Sequence, residues 1–173
     1  MIQFVSGDFA LFVARLTLAM LLGLVLGLER VYAHKTAGMR TYALVSMASA
    51  FFVLIAQGFA NSLSNDTGIE IDSVMRMASQ IVVGVGFLGT GLIIFKDGHI
   101  ENLTTAGGLW ACAGIGMACG FGMYREALFA AGLTFFVLGV LSVVERSIRL
   151  KYFPDRDFTE KLERSQSRRD TSL

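Results

Sequence analysis

The feature that most constrains this chain is the length of its uncharged apolar stretches. Five of them, at about residues 9–28, 41–60, 78–95, 104–122 and 126–144, run with almost no charge. A helix needs roughly 20 mostly apolar residues to cross about 30 Å of hydrocarbon. Composition agrees: 54% of the residues are hydrophobic and 17% charged, where soluble domains are nearer a quarter charged. The spacing predicts an all-α, polytopic membrane protein of about five transmembrane helices. Glycine and alanine dominate the fourth stretch, so four spans plus one re-entrant segment is the alternative. The domain reading is a membrane domain over residues 1–150 and a short polar tail over 151–173.

The first stretch is read as a span and not as a cleaved leader. No Lys or Arg precedes it, it is long, and it ends in Glu29-Arg30 where a leader has small residues. Orientation follows from the basic residues of the loops. With the N-terminus outside, the cytoplasmic segments hold Arg30, Lys35, Arg40 and Lys96. The tail adds Arg146, Arg149, Lys151, Arg156, Lys161, Arg164, Arg168 and Arg169, leaving Arg76 and Arg125 outside. That asymmetry predicts an outer N-terminus and a cytoplasmic C-terminus. The acidic loop residues Asp66, Glu70 and Asp72 then fall outside, in a polar connection over residues 61–77. The net charge of +1 carries no sign of a nucleic-acid partner, and none is expected.

The glycines cluster inside spans: Gly84, Gly86, Gly89 and Gly91 in the third, Gly107, Gly108, Gly114, Gly116, Gly120 and Gly122 in the fourth. Gly23 and Gly27, like Gly116 and Gly120, have the small-xxx-small spacing that lets helix backbones approach closely. Close packing is one reading of the whole set; a glycine-broken helix lining a solute path is the other. Gly84-Val85-Gly86-Phe87-Leu88-Gly89 matches the dinucleotide-binding pattern by accident, because that pattern has meaning only between a strand and a helix. The two cysteines, Cys112 and Cys119, lie about 10 Å apart on one helix, too far for a disulfide within the chain, and read as packing residues, with an intersubunit contact as the alternative.

Charges at membrane depth are functional candidates by default. Arg15 lies about six residues into the first span, with Asp8 two turns away; it reads as a snorkelling or interhelical pair, or as part of a solute path. Arg76 reads as an interfacial anchor. No Asp or Glu falls in the middle of a span, which disfavours a carboxylate-lined Mg²⁺ or Ca²⁺ pathway. At the inner face, spans two and four begin near Thr41 and Thr104, which are expected to cap them. Helix starts beside Arg30, Lys35, Arg40 and Lys96 suit an anionic group, a lipid headgroup or a phosphate. The alternative is ordinary positive-inside decoration, with Glu29 paired to an arginine. Glu29, Arg30, Arg40, Thr104 and Thr105 are expected to converge there. His34 and His99 fall in different loops, no catalytic set is present, and no enzyme, cofactor or metal-ligand set is expected.

Four strings together carry a resemblance: Gly27-Leu28-Glu29-Arg30, Ala37-Gly38-Met39-Arg40-Thr41, Gly84-Val85-Gly86-Phe87-Leu88-Gly89-Thr90-Gly91, and Leu103-Thr104-Thr105-Ala106-Gly107-Gly108-Leu109-Trp110. In order and spacing they resemble the signature of the MgtC/SapB family over about residues 8–145, and Arg76 fits the same pattern. The resemblance implies a bacterial inner-membrane protein linked to Mg²⁺ homeostasis, to low-Mg²⁺ or acid stress and, in some members, to virulence. It implies no established enzymatic activity and, in some members, action by contacting other membrane proteins rather than by carrying magnesium. Two departures stand out: Asn102 occupies a position that is usually glycine, and the tail is too short for the ACT-type domain of longer members, which favours the SapB-like branch. The expected partners are the lipid bilayer, other membrane proteins and a second copy in a homodimer. The functional alternatives are a non-catalytic membrane regulator and a small-solute or ion transporter using spans three and four.

Overall fold

A computed structural model describes residues 6–63, 67–96 and 99–152. The elements are α1 (Ser6–Tyr32), α2 (Met39–Leu63), α3 (Thr67–Leu92), β1 (Ile94–Lys96), β2 (His99–Glu101), α4 (Leu103–Phe121) and α5 (Tyr124–Tyr152). All five helices are long and apolar enough to cross a membrane, as the hydropathy pattern predicts. The fourth is unbroken over 19 residues, so the re-entrant alternative falls away. The expected polar tail beyond residue 152, Asp66, and the side chains of Asp8, Arg146, Arg149 and Lys151 lie outside the described residues.

The chain divides into two units, residues 1–135 and 136–173. The first holds α1 to α4, the hairpin and the opening turns of α5; the second holds the rest of α5. Within the first unit α2 is central and touches α1, α3 and α4. Lipid tails are as apolar as leucine, so helices here associate through packing and hydrogen bonds more than through the hydrophobic effect. Small residues supply that packing. A Cβ added to Gly27 would lie 2.5 Å from the Met39 Cα, and one on Gly23 would lie 2.6 Å from the Tyr42 carbonyl oxygen. Gly116 meets the Ser46 carbonyl in the same way, and a Cβ on Gly120 would lie 2.8 Å from that of Val53.

Two boundaries differ from expectation. The polar stretch over 61–77, read as a loop, is helical from Thr67 onward. Polar side chains can support a helix at its solvated end, and here Asp72 and Arg76 pair one turn apart at 3.1 Å. At its other end α3 stops at Leu92, and residues 94–96, read as partly span, form β1. β1 pairs antiparallel with β2 in the register Ile94 to Glu101, Phe95 to Ile100 and Lys96 to His99. The sequence signal for this hairpin was Asp97-Gly98 between apolar residues.

The far end of the bundle is closed by Arg15. Its guanidinium donates to the Gly120 carbonyl at 2.9 Å, to the Tyr124 hydroxyl at 3.1 Å and to Gln57 Oε1 at 3.5 Å. A cation at the last turn of α4 also complements the helix dipole. Arg15 is therefore an interhelical tie. Gly122, at φ 80°, closes α4 in the left-handed conformation that glycine adopts without strain. Arg76 is exposed at the same end and pairs with Asp72.

Candidate functional site

Three of the four motif strings meet where α1 ends and where α2 and α4 begin. Gly27 sets this geometry, since the missing side chain lets the start of α2 sit against the last turns of α1. The next residues turn a charged pair inward. Arg30 is 1% exposed, and its Nε donates to Glu29 Oε2. A buried arginine is tolerated only with partners for its charge, and its place in the last turn of α1 suits the helix dipole. The turn out of α1 closes when the Lys35 amide donates to the Arg30 carbonyl at 3.0 Å, with His34 at φ 53°.

α2 follows with Ala37 buried and the Gly38 carbonyl accepting from the Tyr42 amide at 3.2 Å. Tyr42 is fully buried and lies within electrostatic reach of Arg30 and Glu29. Its hydroxyl donates to the Thr105 carbonyl of α4 at 3.2 Å, and its own carbonyl accepts from Cys112 Sγ at 3.3 Å. Tyr42 thus joins the first turn of α2 to α4 at two levels. The sequence reading passed over it. The available signal was spacing: Tyr42, Ser46, Ser49, Val53, Ala56 and Ala60 alternate at four and three residues, and all are buried.

Asn102 accounts for one departure from the family pattern. It precedes α4 at φ 66° and ψ 12°, a left-handed conformation that glycine adopts freely and asparagine best among the other residues. Its side chain is turned away from the helix start and makes no cap. The amide nitrogen donates to the Leu92 carbonyl at 3.2 Å, and Oδ1 accepts from Thr36 Oγ1 at 3.1 Å. One residue therefore ties the end of α3 and the α1–α2 turn to the start of α4.

Two expectations need correction here. Thr104 is not the cap of α4, because Asn102 occupies that position and Thr104 already lies inside the helix. Thr41 likewise lies inside α2, which begins at Met39. The structure brings together Glu29, Arg30 and, through Tyr42, the backbone of Thr105. Arg40, Thr41 and Thr104 are exposed and make no side-chain hydrogen bond to a described residue.

The glycine string of α3 is also not what packs the chain. Cβ atoms on Gly84, Gly86 and Gly91 would meet nothing within 4 Å, and one on Gly89 would only touch Ala106 at 3.6 Å. Gly84, Gly86 and Gly89 instead border two clefts. One, of about 380 Å³, runs between α3 and α4 past Gly86, Gly89, Gly107 and the half-exposed Trp110. The other, of about 400 Å³, runs between α2 and α3 past Ser49, Gln80, Gly84 and Leu88. Both linings are mainly apolar. Among the described residues no three of His, Cys, Asp or Glu gather to hold a metal ion.

Comparison with known proteins places these residues in context. The model of the MgtC family matches residues 16–147. YhiD of Escherichia coli (strain K12), described as "Putative magnesium transporter", is 41% identical over 131 residues, covering 75% of this chain and 60% of that protein. Protein MgtC of Salmonella typhimurium (strain LT2) is 41% identical over 119 residues, covering 69% of this chain and 47% of that protein. Protein MgtC of Brucella abortus (strain 2308) is 39% identical over 136 residues, covering 78% and 52%. The chain thus spans about half the length of the curated relatives it matches. No solved structure matches.

Proposed function

The chain belongs to the MgtC family, and we propose that it is a non-catalytic membrane regulator that contacts other membrane proteins in Mg²⁺ homeostasis under low-Mg²⁺ or acid stress. In this reading it is a multi-pass protein of the bacterial inner membrane, with its N-terminus outside. The motif end then faces the cytoplasm, the side to which the excess of Lys and Arg in the loops points. There the start of α4, its first amides uncapped by Asn102, offers a place for an anionic headgroup or phosphate.

The observation that carries this reading is the contrast between a closed core and open flanks. Backbones of α1, α2 and α4 touch through Gly23, Gly27, Gly116 and Gly120, so that core is filled by protein. Gly84, Gly86 and Gly89 of α3 border open clefts on the flanks of that helix, which suit contact with another membrane protein. Purified protein in liposomes should release or take up Mg²⁺ no faster than empty liposomes. Flux far above that control would sink the regulator.

A transporter is the second reading, favoured by the description of YhiD as "Putative magnesium transporter". It requires the path to follow the glycine-lined cleft of α3 and α4. Gly86→Leu with Gly89→Leu should then abolish flux in the same liposomes, and unchanged flux would remove this reading.

A further inference from the structure

The β1–β2 hairpin has two unlike faces. Its register sets Phe95 directly opposite Ile100, while the neighbouring pairs, Ile94 with Glu101 and Lys96 with His99, project to the other side. One face is therefore wholly apolar, and it is open: Phe95 is 74% exposed and Ile100 62%. The other face is mostly polar. A two-stranded hairpin alone in water is marginally stable and needs its apolar face covered. The described chain leaves this one uncovered.

What can cover it is set by where the hairpin is anchored. Ile93 alone separates β1 from the end of α3, and Asn102 alone separates β2 from the start of α4. The Asn102 amide, donating to the Leu92 carbonyl at 3.2 Å, ties these two feet together. Both helices are long and apolar enough to cross a membrane. Each strand is only about 10 Å long, so the hairpin stays at the membrane boundary. At its feet Ile93 and Leu103 are exposed as well and line the α3–α4 cleft, so apolar surface continues from the spans onto the strands.

We propose that the hairpin lies flat on the bilayer, with Phe95 and Ile100 set into the boundary between lipid headgroups and acyl chains. Its strands have open edges whose backbone groups need water or headgroups, so it stops at that boundary and does not enter the hydrocarbon. Lys96, His99 and Glu101 then face the water. Of the charges in the hairpin, Lys96 stands against Asp97 and Glu101, so no positive excess draws it to anionic headgroups. Burial of the apolar face drives the contact. Such a hairpin fixes the depth at which the joined ends of α3 and α4 sit. The inference rests on the membrane-crossing helices and holds for a regulator and a transporter alike.

The test is a nitroxide scan of the full chain in phosphatidylcholine vesicles, with labels at Phe95→Cys, Lys96→Cys, His99→Cys and Ile100→Cys in turn. Cys112 and Cys119 are buried, and the unsubstituted chain is the background. Leu44→Cys, exposed within the second span, is the lipid reference, and Lys35→Cys, exposed in the α1–α2 turn, the aqueous one. The ratio of collisions with oxygen to collisions with a water-soluble nickel complex should be at least about threefold higher at Phe95 and Ile100 than at Lys96 and His99. Added phosphatidylglycerol should leave that alternation unchanged; an alternation that needs it would refute the apolar drive. Nickel access at Phe95 and Ile100 equal to that at Lys35 would overturn the proposal by placing the face in water. Exclusion of both probes would overturn it by placing the face against protein. In parallel, Phe95→Asp should lower the ratio read at Ile100→Cys about threefold, since a charge at that depth opposes insertion. An unchanged ratio would equally refute it.

Discussion

Two helices of this protein carry the same spacing and meet opposite fates. On α2, Tyr42, Ser46, Ser49, Val53, Ala56 and Ala60 alternate at fours and threes and are buried. On α3, Met77, Gln80, Gly84, Phe87 and Gly91 alternate likewise and are exposed. Small residues stand in both sets. The difference lies in what approaches. α2 is met by the glycines of α1 and α4, whose missing side chains admit its backbone. On α3, Met77, Gln80 and Gly84 instead line the open cleft beside α2. Spacing by threes and fours marks one face of a helix; it does not report what meets that face.

The most direct way to break this comparison is to fill one glycine on each side. Gly116→Leu drives side-chain atoms into the Ser46 backbone and should cost about 3 kcal/mol, read as loss of folded protein in a denaturant titration. Gly86→Leu, facing open space, should leave the same titration unchanged. Equal losses would mean that both faces are packed and the contrast is false.

Smaller changes sharpen it. Arg15→Met removes the tie between α1 and the last turn of α4 and should cost about 2 kcal/mol in unfolding. Asn102→Ala places an ordinary residue in the left-handed region and cuts the links to Thr36 and Leu92. It should cost about 1 kcal/mol, with Asn102→Gly falling between it and the natural chain in the same melt. Tyr42→Phe keeps the packed ring and loses only the bond to Thr105. About 0.6 kcal/mol is expected, the scale of hydrogen bonds between helices in membranes.

Much of the candidate site was legible one string at a time. Glu29 and Arg30 pair as adjacent residues, and Gly27, quoted with them, turns out to be the contact point for α2. What could not be read was Tyr42, because a tyrosine near a helix start looks like an interfacial anchor until its hydroxyl is seen on Thr105. Nor could the reversal at Asn102, since a backbone angle is not spelled by residue type. The two threonine caps failed for the same reason: a capping residue is recognised only once the helix start is known, and α2 and α4 each begin before the threonine assigned to them.

By itself the sequence determined five membrane-crossing helices, their approximate bounds and the family to which the chain belongs. Hydrocarbon thickness and the backbone's need for internal hydrogen bonds leave an apolar stretch of that length few other forms. Tertiary structure alone decided which glycines are contacts and which are openings. It also carried α3 through a polar stretch that reads as a loop, and turned Arg30 inward while leaving Arg40 exposed. Local pattern sets how a helix is striped, but burial depends on which neighbour arrives at the stripe, and that is settled by residues far away along the chain.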